Sequence, residues 1–158
     1  MNRYLYASLI LLGSTTITAY GHVSPKMQYH SKDVRPDARI EVAFPPLLKR
    51  QTLATMRMHL QGLSEVQQAL ADKKFEKAAE IATMTLGMSS MHGNQMPEES
   101  KYMPQGMRKL GALMHQRAAK FAISAQNAAA TGDVRLPLRA LSRVTQTCVA
   151  CHSVYRLK

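Results

Sequence analysis

From residue 46 onward the apolar positions recur at steps of three and four, the period of α-helices with one buried face. Leu53, Met56, Leu60, Leu63, Val66 and Leu70 form one stripe, while Arg50, Arg57, Gln61 and Gln68 fall elsewhere, so a helix is expected from about Pro46 to Ala71. Pro45-Pro46 suits its start, because proline is tolerated in a first helical turn. Asp72-Lys73-Lys74 interrupts the pattern, and Phe75, Ala78, Ala79, Ile81, Ala82 and Leu86 resume it in a shorter helix ending near Gly87. Residues 88–104 keep no period and contain Gly93, Asn94, Pro97 and Pro104, the composition of a long connection. A third stripe, from Met107 through Met114, Ala118, Phe121 and Ala125, predicts a helix from about Gln105 to Ala130. After Thr131-Gly132-Asp133 a last helix is expected from around Arg135 to Tyr155, with Leu138, Leu141, Val144, Cys148, Cys151 and Tyr155 on one face. No stretch alternates with a period of two, and there is no internal repeat. The pattern predicts an all-α fold, an antiparallel four-helix bundle over residues 46–158.

The N-terminal third reads differently. Asn2 and Arg3 precede a mainly apolar run from Leu5 to Ala19, and Ala19-Tyr20-Gly21 offers small residues where a leader is cut, so residues 1–21 are expected to be a cleaved signal peptide. An uncleaved anchor is the competing reading, weakened by Gly13, Ser14, Thr15, Thr16 and Thr18 within the run. Residues 22–45 are polar and mixed in charge, and are expected to form an irregular arm. Export would leave the rest in the periplasm, with no stable membrane insertion. The formal charge of +11 is spread along the chain, and aromatic residues are few, which speaks against nucleic acid as a partner. Eleven methionines point to an adaptable core or to soft-metal ligation.

The candidate chemistry is concentrated in Cys148-Val149-Ala150-Cys151-His152, which holds both cysteines of the chain. C-x-x-C-H is the pattern of covalent c-type haem attachment. On a helix the two thiols share a face, able to bond the porphyrin vinyl groups while the imidazole reaches the iron. A structural zinc site needs four ligands, but His59, His92 and His115 are scattered singly. A thioredoxin-like redox pair belongs in a βαβ pattern that is absent here, and a disulfide across so short a loop leaves His152 unexplained. One covalent haem c is the expected cofactor. Because both thiols continue the apolar stripe of the last helix, it would sit inside the bundle.

Four helices, a long second connection and haem attachment on the last helix resemble the class II c-type cytochromes, the cytochrome c prime family with its low-spin relatives. The tail Cys148-Val149-Ala150-Cys151-His152-Ser153-Val154-Tyr155-Arg156 is similar to that family's ending, in which an aromatic residue and an arginine follow the motif. The resemblance implies His152 as the proximal iron ligand and a first-helix residue on the opposite side, apolar in the five-coordinate members and methionine in the low-spin ones. Arg-Gln often precedes that position, and Arg50-Gln51 stands here; the fourth residue after Arg50 is Ala54, which cannot ligate iron, whereas the stripe presents Leu53 and Met56. Met56 is the expected sixth ligand. His59 borders the stripe as another candidate, Met58 points away from it, and His115 reads as a boundary histidine.

With both axial positions filled the expected activity is electron transfer to an acidic partner protein, without catalysis, steered by the excess of Lys and Arg. Arg156 and Lys158 are placed beside the motif for the haem propionates. The alternative is an open site lined by Leu53 that binds NO or CO. The Met-rich stretch within residues 84–107 raises a further reading as a Cu(I) carrier, with padding of the bundle end as the simpler account. The family also forms homodimers, which leaves oligomeric state open.

Overall fold

A computed structural model describes residues 36–87 and 98–158. The expected signal peptide, most of the arm and His92 with its neighbouring methionines lie outside the described residues. Four α-helices dominate: α1 Pro46–Ala71, α2 Phe75–Thr85, α3 Gln105–Ala129 and α4 Arg135–Val154. A 3-10 turn at Glu98–Tyr102 precedes α3. These bounds follow the apolar periods closely, and the physical stop signals are visible at each end.

Pro46 opens α1 from an extended Pro45. At its other end Lys73 adopts φ 56°, letting the Lys73 and Lys74 amides donate to the carbonyls of Leu70 and Ala69. This is the hydrogen-bond pattern of a left-handed helix stop, held here by a lysine where glycine would carry less strain. Gly132, at φ 69°, supplies the corresponding reversal after α3.

Successive helices pack on one another: α1 on α2, α2 on α3 and α3 on α4. Their shared core is built around Val66, Leu70, Phe75, Phe121, Leu141 and Val144, with alanines of α2 and α3 between them. Gly62 lets α1 approach α2 closely, since a Cβ there would run into the Thr85 side chain. Thr147, almost fully buried among apolar neighbours, is satisfied twice: its hydroxyl donates to the Arg143 carbonyl and accepts from the Arg117 guanidinium. Among the described residues no helix is long and apolar enough to cross a membrane.

Two expectations need correction. Leu60 and Leu138, assigned to the buried stripes, are 67% and 48% exposed. The inward face of α1 keeps Val66 and Leu70 of that stripe and adds Thr52, Gly62 and Ala69, because close packing on α2 selects small side chains that hydrophobicity does not flag. The second correction concerns the arm and the absence of strands. Ile40–Val42 forms β1, which pairs in parallel with β2, Tyr155–Leu157, in the register Ile40 with Tyr155, Glu41 with Arg156 and Val42 with Leu157. Strands of three residues are too short to show alternation, and each depends on a partner at the other end of the compact unit Asp37–Lys158. Val42 and Phe44 bury against Met107 in a second small core that includes Cys151, Tyr155 and Leu157. The result is a strap that holds the end of α4, and with it the CxxCH motif, against the start of α3.

Candidate cofactor site

Cys148 and Cys151 lie one turn apart near the end of α4, both half-buried and both free thiols. Burial pushes the two thiols up from their ordinary pKa, and for Cys151 the neighbouring Cys148 adds to the effect. They are therefore protonated at neutral pH, unlike the depressed cysteines of redox enzymes. Cys148 points its Sγ back toward the Val144 carbonyl, at 3.7 Å. His152 is exposed, and its backbone carbonyl accepts a hydrogen bond from Arg39 at 3.2 Å.

Beside the motif are two adjoining clefts, of about 230 and 180 Å³, that share Met56, Met107, Cys151 and His152 in their walls. Taken together they reach the size of a small cofactor site, roughly 300–1,000 Å³. The larger one has Leu53 and Leu157 as apolar wall and Arg39, Lys49 and Arg156 as basic rim. The other runs between α1, α3 and α4, past Thr52, His59, Met114, His115 and Cys148. Gly111 lies on its wall with no atom within 4 Å of where a Cβ would stand, so α3 presents bare backbone to the space. The clefts exist because α1 packs closely on α2, while α1 and α4 are not a closely packed pair.

Among the described residues two buried side-chain atoms, Thr52 Oγ1 and His59 Nε2, have no polar partner, whereas Arg156 Nε, which makes no hydrogen bond, lies 3.4 Å from Asp37 Oδ2 in an ion pair. Thr52 and His59 both line the smaller cleft. An unsatisfied buried polar group costs about 1–3 kcal/mol, so their convergence on one space marks it as a place where water or a ligand completes the structure.

His59 is the more unusual of the two. Burial, and secondarily the neighbouring His115, lower its pKa to about 4, so the imidazole is neutral at physiological pH. The two rings meet edge to face with centroids 5.6 Å apart. His115 is anchored in turn, since its Nδ1 lies 2.8 Å from the Leu86 carbonyl, a contact that requires the proton on Nδ1.

All six residues singled out in the sequence, Cys148, Cys151, His152, Leu53, Met56 and Arg156, line the clefts. Arg156 has a second engagement: its guanidinium is paired with Glu41 and lies 3.4 Å from Asp37. Lys158 pairs with Glu41 at 3.5 Å. The strap thus occupies the two cations that were expected to serve a cofactor, and Arg39 and Lys49 join Arg156 on the rim. Met58 is exposed, as its position off the stripe implied. His115 reaches the cleft from α3, which its boundary position in the periodic pattern did not reveal. Met107 and Met114 were legible as core residues, but their place beside the motif was not. Among the described residues no three His, Cys, Asp or Glu side chains cluster as a metal site by themselves.

Asp37 ties the strap together. Its carboxylate accepts from the Arg39 side chain at 2.7 and 2.9 Å and from the Arg39 backbone N–H, which together hold its pKa at about 2. A carboxyl with a folded pKa below its unfolded value stabilises above about pH 4, and the contribution fades as pH falls toward 2. Asp37→Asn is expected to remove this acid-side dependence from amide exchange at residues 40–42 and 155–157, with little change at the core of α3. An unchanged pH profile in the variant would show that the strap does not depend on this carboxylate.

No protein-family model, curated protein or solved structure matches the chain.

Proposed function

We propose that this chain is a periplasmic c-type cytochrome resembling the class II family, an antiparallel four-helix bundle carrying one haem covalently on α4 and transferring electrons. The observation that carries the reading is the convergence of both CxxCH thiols on clefts whose walls also include Thr52 and His59, each with an unpartnered buried polar atom. The donor set fits the group: two thiols one turn apart, an imidazole next to them, thioether and imidazole groups on α1, an apolar wall and a basic rim.

A haem bound there supplies an iron centre that gains and loses one electron. Cys148 and Cys151 would hold it through thioether bonds, each thiol adding across one vinyl group with its proton going to the other vinyl carbon. His152 would offer an imidazole nitrogen to the iron, and Met56 and His59, on the cleft-facing row of α1, are the donors that could supply a second ligand. Leu53, Met107 and Met114 exclude water and keep the local dielectric low, one of the levers that set a haem potential. Lys49 places positive charge at the mouth, beside Arg39 and Arg156 whose charges are shared with Asp37 and Glu41, and this would favour propionates within and an acidic redox partner outside.

A second reading, an open iron that binds NO or CO, rests on the apolar Leu53 beside Met56 in the larger cleft. Purified protein is expected to give the alkaline pyridine spectrum of one c-type haem per chain, and its absence would end the haem reading. Carbon monoxide added to the reduced protein separates the two readings: a filled sixth position leaves the spectrum unchanged, and an open one shifts it at once.

A further inference from the structure

We propose that His59 of α1 is the residue that closes the sixth position of the iron, giving bis-imidazole coordination together with His152. The inference rests on covalent haem attachment at Cys148 and Cys151, and it goes further by deciding between the two donors that α1 presents.

The two donors differ in what each lacks without iron. Met56 lines both clefts as a half-buried thioether, and an unligated thioether among apolar neighbours loses nothing, because sulfur packs there as a hydrophobe. His59 stands one turn further along the same face of α1, and its Nε2 is wholly buried without a hydrogen-bond partner. A buried imidazole nitrogen in that condition is costly unless something in the cleft binds it. His59 shares its cleft with Cys148, Cys151 and His152, the residues that would fix the macrocycle.

The surroundings of His59 suit a ligand rather than a core residue. His115 lies edge-on against it and is itself anchored at Leu86, so the ring of His59 is braced on one side by a fixed neighbour. His115 donates its Nδ1–H to the Leu86 carbonyl, which leaves its Nε2 lone pair free in the manner of a metal-bound histidine, but that Nε2 is not among the buried atoms without a partner, as the Nε2 of His59 is.

The test uses the full chain, exported and haem-loaded, in the wild type and in the variants His59→Ala, His59→Gln, Met56→Leu and His115→Leu. Far-UV circular dichroism is recorded to compare helix content. Ferric wild-type protein is expected to be low-spin, with its near-infrared ligand-to-iron band at the energy of two imidazoles rather than of imidazole and thioether. Both His59 variants are expected to lose that band and turn high-spin, and added imidazole should restore it in His59→Ala. Met56→Leu and His115→Leu should keep it. A thioether band lost in Met56→Leu, a high-spin wild type, or a bis-imidazole band that survives in His59→Ala and disappears in His115→Leu would each overturn the assignment to His59 while leaving the haem reading intact. A protein with no c-type haem overturns both.

Discussion

Serine at both Cys148 and Cys151 is expected to reduce covalently bound haem to background, the largest functional change available to a two-atom substitution in this chain. The hydroxyl matches the thiol in position but does not add to a vinyl group, so haem in the double variant would be removable by acid-acetone extraction. Each single variant should retain one thioether bond and show the intermediate pyridine spectrum of a haem with one vinyl group left. Haem staining after denaturing electrophoresis, together with the intact mass, reads all three cases. The double variant should also melt at a lower temperature than the loaded protein, because a group bound only by the folded state contributes to its stability. Full covalent loading in the double variant would overturn the attachment assignment.

Phe121→Ala is expected to destabilise the protein by about 3–5 kcal/mol. Phe121 is 0% exposed in the middle of α3, and much of what surrounds it in the shared core is alanine: Ala118, Ala122 and Ala125 on its own helix, Ala78, Ala79 and Ala82 on α2. Such neighbours cannot rotate into the space that a benzyl group leaves, so the cavity term is close to fully felt. A loss of that size is a large part of the roughly 5–15 kcal/mol by which domains are normally stable. Urea unfolding followed by far-UV circular dichroism should show the midpoint falling with the slope unchanged. A change below about 1 kcal/mol would mean that Phe121 is not packed between α2, α3 and α4, and would contradict the helix packing described above.

Helix boundaries and the attachment motif could be read from local information. The limits of α1, α2, α3 and α4 are written in steps of three and four, in Pro46 at the start of α1 and in Gly132 after α3. The pairing of Cys148, Cys151 and His152 needs only the pitch of one helix. What local information cannot supply is which residues of different helices face a common space. Leu60 looked internal because it is apolar and in phase, but α1 turns a smaller-sided face toward α2, where Gly62 meets Thr85. His115 gave no signal at all, since an imidazole at the edge of a stripe is ordinary until a second imidazole, His59, is found 5.6 Å away.

The strap makes the same division clear. Ile40–Val42 and Tyr155–Leu157 have no distinguishing pattern, and neither is a strand without the other, yet their pairing and the Asp37, Arg39, Glu41 and Arg156 ion pairs hold the end of α4 in place. The sequence by itself determined the four helices and the spacing of Cys148, Cys151 and His152 near the end of the last one, because helix period and motif spacing are local. Only the tertiary structure decided where that motif opens: between α1, α3 and α4, against His59, with a basic rim. That outcome depends on how closely each pair of helices approaches, a sum over many side-chain volumes that no single segment contains.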